Sequence, residues 1–153
     1  MLWEAIEAVA ETWGEKRVGV HISPTNVHHG ISDSDPETLF AAVAHGVNRY
    51  DLAYVNVVEG PTDPTEKEIP FDWDRLRSRL RHVYIANNNY DLAKAQDAVH
   101  SGRADMVSFG RLFIANPDMV ERFRRNAPLN PLRPASIIGA GAVGLTDYPF
   151  LAS

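Results

Sequence analysis

Four times along this chain a short apolar, β-rich run is followed by a segment with helical spacing, and this alternation restricts the fold more than any other feature. The runs are residues 17–22, 53–58, 82–86 and 104–109. Ahead of the first, Leu2, Ile6, Val9 and Trp13 recur at helical spacing, and Gly14 is the expected stop. Asp35-Pro36-Glu37 opens the next helix, with Asp as cap and Pro in the first helical position. Leu39, Val43 and Val47 predict its apolar stripe. Residues 71–80 predict a short helix, Asp91 caps another that runs to Ser101 before Gly102, and Asn116-Pro117 opens a last one to about Arg125. The loop over 59–70 carries three prolines and several charges, which places it at the surface. Residues 127–153 form a Pro- and Gly-rich tail of what is expected to be one domain spanning 1–153.

Strand–helix–strand connections are right-handed, so this order builds a parallel sheet and an α/β fold. The run 53–58 is almost wholly apolar, as suits a parallel strand covered on both faces. The residues alone leave two architectures open: an open doubly wound sheet of four strands, and half of a (β/α)8 barrel.

Composition removes several function classes. The chain has 153 residues, 44% hydrophobic and 23% charged, the profile of an ordinary soluble globular domain. A net charge of −5 argues against nucleic acid or an acidic membrane surface as partner. The lack of cysteine excludes a disulfide framework, a thiolate zinc site and a cysteine nucleophile. No apolar run approaches membrane-spanning length, and the acidic, amphipathic N-terminus does not read as a signal peptide. A cytoplasmic location is the expectation.

From about Leu2 to Leu151 the chain resembles the C-terminal half of the old yellow enzyme family, the FMN-dependent ene-reductases. The residues that carry this are Val18-Gly-Val-His-Ile-Ser-Pro24, Ser32-Asp-Ser-Asp-Pro-Glu37, Tyr54-Val-Asn-Val-Val-Glu59, Ile85-Ala-Asn87 with Tyr90-Asp91, Gly110-Arg-Leu-Phe-Ile-Ala-Asn-Pro-Asp118 and Thr146-Asp-Tyr-Pro-Phe-Leu151. The resemblance implies a half-barrel, strands five to eight of eight. By the family pattern, the substrate-binding His/Asn pair and the proton-donating tyrosine belong to the other half. A sheet with two open edges needs a partner, either a second copy or a complementary N-terminal half-barrel.

Barrel active sites lie at the C-terminal ends of the strands. Alternation puts Gly19, His21 and Ser23 on one face and Val18, Val20 and Ile22 on the other. That leaves two readings of His21: a side chain in the barrel mouth, or a buried, hydrogen-bonded histidine. The resemblance places it where relatives carry an arginine against the flavin pyrimidine ring. It also assigns Gly110 and Arg111 to the phosphate, a guanidinium fork and open backbone being suited to that group. Asn88 stands where relatives have glycine, and a side chain there is expected to crowd the phosphate. With two of three flavin contacts altered, FMN is expected to be absent or weakly bound. Asn56, Asn87 and Tyr148 are the candidate substrate contacts. His21, His28, His29 and Glu59 are the candidate proton-transfer groups. The spacing of the histidines matches no metal motif, so no metal is expected. Gly139-Ala-Gly-Ala-Val-Gly144 imitates a dinucleotide fingerprint, but no helix, strand or acidic residue follows at the required distance.

These features favour a small-molecule enzyme with a degenerate flavin site, an isomerase or cyclase acting on an unsaturated carbonyl compound. The alternatives are one half of a split FMN ene-reductase and a non-catalytic subunit of a barrel complex.

Overall fold

The computed structural model describes residues 1–27, 30–62, 65–137 and 141–152. The chain forms two compact units, Met1–Ser108 and Phe109–Ser153.

The first unit holds helix α1 (Leu2–Trp13), strand β1 (Gly19–Ile22), α2 (Pro36–Val47), β2 (Tyr54–Val58), α3 (Trp73–Arg79), β3 (Val83–Asn87), α4 (Leu92–His100) and β4 (Met106–Ser108). Aspartates start three of the helices: Asp35, Asp72 and Asp91 accept the backbone N–H of Thr38, Arg75 and Lys94 at 3.1, 2.9 and 2.8 Å. The four strands are parallel and lie in sequence order, β1-β2-β3-β4. A doubly wound sheet reverses its order at a switch point, whereas a barrel adds each strand on the same side. The observed order is the barrel's.

One face of the sheet is the core. Val20 and Ile22, Val55 and Val57, and Tyr84 and Ala86 are buried with Ile6, Ala44, Val47, Leu76 and Ala98 from the helices. The α2 stripe differs from the sequence expectation, since Leu39 is 42% exposed. Ala44, Gly46 and Val47 are the buried residues of α2. Gly46 lies against the Trp3 ring, so the smallest residue of α2 gives the indole its place.

The opposite face carries Gly19, Tyr54 and Val83 in one row and His21, Asn56, Ile85 and Met106 in the next. It remains open: Tyr54 and Val83 are 40% exposed and Met106 is 56% exposed. The run that read as apolar on both sides therefore has a mixed open side, Tyr54 and Asn56. Gly19 has no side chain because the Tyr54 ring lies directly across it.

The second unit contains α5 (Arg111–Ala115) and α6 (Met119–Arg125). At five residues α5 is too short to show a helical period in the sequence. Asn116 closes it with an Nδ2 bond to Leu112 O at 2.8 Å, and Asp118 instead of Asn116 leads into α6. Arg122 is buried and organises the tail. Its Nε donates to Asp118 Oδ1 at 2.6 Å, and its terminal nitrogens donate to Pro128 O at 2.6 Å and Pro149 O at 2.8 Å. Asp118 Oδ2 accepts the Leu151 N–H at 2.7 Å. Burial alone would raise the Asp118 carboxyl, but the Arg122 and Leu151 bonds to its charged form outweigh burial and hold it below the ordinary value.

Two tests follow from this packing. Gly19→Ala should destabilise the first unit by about 1–3 kcal/mol through overpacking, and in Gly19→Ala/Tyr54→Ala much of that penalty should vanish, as read by urea unfolding. Because the folded-state pKa of Asp118 is depressed, its contribution is full above its unfolded value, about pH 4, and is lost as pH falls through the folded one. The stability gap between the wild-type chain and Asp118→Asn should therefore narrow below about pH 4.

Candidate functional site

Along the open face, side chains near the C-terminal ends of β2, β3 and β4 converge. Ser108 Oγ accepts Nδ2 of Asn56 at 3.0 Å and Nδ2 of Asn87 at 2.9 Å, and Asn87 Nδ2 also donates to Ser108 O at 3.0 Å. Asn56 Oδ1 is buried without a hydrogen-bond partner among the described residues. A buried acceptor left in this state costs about 1–3 kcal/mol, so the amide retains an unspent hydrogen-bonding atom. His21 lies beside Asn56 in the ladder and is exposed on the open face. Ser108 was missed from the sequence. Its register with Asn87, two strand ends brought level, is a signal that only pairing reveals.

Glu59 lies apart from this group. It directly follows β2 and continues the ladder through its N–H to Asn87 O at 2.9 Å. Alternation gives it the helix side, with Val55 and Val57. Its carboxylate accepts the Tyr84 hydroxyl at 2.7 Å and the Tyr90 hydroxyl at 2.6 Å. Burial, reinforced by the Glu59 charge and hydrogen bonds, pushes both phenols far above their usual range, so both remain donors. Glu59 and His21, paired as proton-transfer candidates, are on opposite sides of the sheet.

Asn88 also differs from its expected role. Its Nδ2 donates to Glu59 O at 2.8 Å and Pro61 O at 2.7 Å, so the amide nitrogen is spent on the loop after β2, while Oδ1 is buried without a partner among the described residues. Asn88 and Asn89 have φ of 106° and 51°, conformations that favour glycine, and asparagine tolerates them better than most residues.

In the second unit Gly110 precedes α5, and nothing stands within 4 Å of where a Cβ would project. Arg111, the first residue of α5, is exposed. Tyr148 is 7% exposed, and its phenol oxygen accepts the Arg133 N–H at 2.8 Å. The Arg133 guanidinium lies 4.4 Å from the Tyr148 ring centre and is bonded to Asp147. These contacts pack Tyr148 within the tail and use its oxygen as an acceptor. His28 and His29 fall outside the described residues. Among the described residues no three His, Asp or Glu side chains could hold a metal ion, and no helix is long and apolar enough to cross a membrane.

A sequential parallel sheet of four strands, alternating with helices, is the pattern of half a (β/α)8 barrel. Residues 1–130 match the NADH:flavin oxidoreductase / NADH oxidase family, and the chain belongs to it. A putative 12-oxophytodienoate reductase 11 of Oryza sativa subsp. japonica is 36% identical over 98% of this chain and 42% of its own length. A probable flavin mononucleotide-dependent alkene reductase of Leishmania infantum is 35% identical over 98% of this chain and 40% of its own. The solved old yellow enzyme from Trypanosoma cruzi matches with a TM-score of 0.92 and 35% identity, over 99% of this chain and 40% of that one. Morphinone reductase matches with a TM-score of 0.88 and 39% identity, over 97% and 40%. The chain thus spans about two-fifths of the length of these relatives.

The Asn88 geometry is open to a direct test. Asn88→Gly keeps the backbone angle and loses the two loop bonds, whereas Asn88→Ala loses the bonds and strains the backbone. Alanine should be the more destabilising by about 1–2 kcal/mol in urea unfolding.

Proposed function

We propose that this chain is the C-terminal half of an FMN-dependent reductase of alkenes activated by a neighbouring carbonyl, working with a complementary N-terminal half-barrel. The observation that carries this is the open sheet face. Tyr54, Val83 and Met106 are uncovered on it, Asn56 has an unspent buried atom, and β1 and β4 end the sheet. Four parallel strands in this state are incomplete, and relatives more than twice as long have the chain to complete them.

The residues present suit the flavin. Arg111 brings a permanent cation with a forked donor set, and Gly110 leaves its backbone open to a phosphate. Neutral amides and an imidazole on the open face suit the polar edge of an uncharged heteroaromatic ring. In this reading Gly110 and Arg111 hold the phosphate, and His21 donates an N–H toward the ring where relatives use arginine. Asn56, Asn87 and Ser108 form the polar floor. When bound, FMN supplies the hydride chemistry, receiving a hydride from a reduced nicotinamide and delivering one to the alkene. By the family pattern the alkene's proton comes from a tyrosine of the other half. The isomerase or cyclase reading rested on two altered flavin contacts, His21 in place of arginine and Asn88 in place of glycine. The Asn88 amide nitrogen bonds the Glu59 and Pro61 carbonyls, Glu59 is committed to two tyrosines, and a relative matched over 98% of this chain is a probable alkene reductase, so the reductase reading is preferred.

Co-expression with the N-terminal half of a relative tests the proposal. The expected product is a complex with flavin's visible absorbance and NAD(P)H-dependent reduction of an unsaturated ketone. The interface should exceed about 2,000 Å². Arg111→Ala should weaken FMN binding about tenfold or more without splitting the complex. A self-sufficient pair of identical chains by light scattering would put a second copy in place of the N-terminal half. A folded monomer that neither pairs nor binds FMN would overturn the proposal.

A further inference from the structure

On the helix side of the sheet, where the flavin reading assigns no role, a cleft of about 290 Å³ is walled by Phe71, Trp73 and Tyr90 and edged by Glu59, Asp72 and Asp74. We propose that this cleft binds a small organic cation of the substituted-ammonium class. Aromatic faces attract such cations through their ring quadrupoles, and carboxylates nearby add charge attraction without requiring close coordination. Three rings and three carboxylates in one cleft combine both.

The walls are fixed before any ligand arrives. Phe71 and Trp73 have ring centres 4.5 Å apart, and Phe40 meets Phe71 edge-on at 6.4 Å. On the other side the Tyr90 hydroxyl is tied to Glu59 at 2.6 Å, and Glu59 is held in turn by the buried Tyr84 at 2.7 Å. A cage already held in shape loses little side-chain freedom on binding.

Charge decides the ligand's sign. Among the described residues Arg103 is the one cation lining this cleft, and its guanidinium is engaged by Asp97 and by Ser101 Oγ at 3.2 Å. Asp74 makes none of the ion pairs of the described residues. The residual charge is negative, which disfavours a phosphate or carboxylate here. An adjoining cleft of about 420 Å³ shares Glu59, Trp73, Tyr90 and Arg103 and adds Asn88, Asn89, Lys94 and Asp97, a polar extension in which one further cation is matched by one further carboxylate and which leaves room for a polar tail.

Calorimetric titration of the protein as purified, with choline and with its uncharged isostere 3,3-dimethylbutanol, separates the contributions. Choline should bind saturably, and the isostere about tenfold or more weakly. Trp73→Leu should lose about tenfold in choline affinity, with Trp73→Phe keeping most of it. Should Trp73→Leu not fold, Asp74→Asn, at the exposed start of α3, should still weaken choline about severalfold. Equal binding of the isostere, no saturable choline binding, or full affinity in Asp74→Asn would each overturn the proposal.

Discussion

Everything in the first unit depends on a parallel sheet that is covered on one side only. A parallel ladder satisfies its backbone within the sheet, but its two faces and two edges must be dealt with separately. Here the helices cover the face of Val20, Ile22, Val55, Val57, Tyr84 and Ala86. The other face is left with Tyr54 laid across Gly19 and with amides bonded to Ser108. An open face of this kind is neither a finished surface nor a core. It mixes exposed Tyr54, Val83 and Met106 with the partnerless Oδ1 of Asn56, which neither water-facing nor apolar packing accounts for.

Strand parity sorts the chemistry across that sheet. Successive side chains point to opposite faces, so one step along the chain changes a residue's company completely. Asn87 faces Ser108 on the open side, while Asn88 reaches back over the loop after β2. Asn56 and Glu59 are three residues apart, and they differ in the same way. One joins the polar floor, and the other anchors two tyrosines under the helices.

The sequence made the parallel α/β architecture legible because each signal was local: strand runs, aspartate caps at Asp35 and Asp91, and glycine stops at Gly14 and Gly102 with φ of 83° and 78°. Alternation also put His21 on the face opposite Val20 and Ile22, though it left the burial of the imidazole open. What escaped were features that depend on two distant segments meeting. Ser108 became a hydrogen-bond hub only through its register with Asn87 and the reach of Asn56 across the sheet. Leu39 looked like core because spacing cannot tell which side of a stripe a neighbouring helix will take, and the close approach at Gly46 turned α2 toward Trp3. The bonds of Asn88 to Glu59 O and Pro61 O were not legible, because a lone residue carries no hint of which carbonyls its amide will find. Tyr148 read equally as a site residue and as tail packing, and its contact with the Arg133 N–H depends on a segment 15 residues away.

The two faces also differ in how self-sufficient they are. Each wall of the aromatic cleft, Phe71, Trp73 and Tyr90, and each contact that fixes them comes from the first unit itself. Nothing about its shape waits on closure of the sheet. The open face is the reverse case. Its polar floor is assembled, but its outer side has no wall and its edge strands have no neighbours. Binding energy at such a face must come largely from whatever covers it, since a ligand held on one side stays in contact with water, where polar interactions are weak. Glu59 is the hinge between these two situations. Its carboxylate fixes the aromatic wall, and its backbone carbonyl receives Asn88, so the strand end that shapes the cleft also holds the loop beside the open floor.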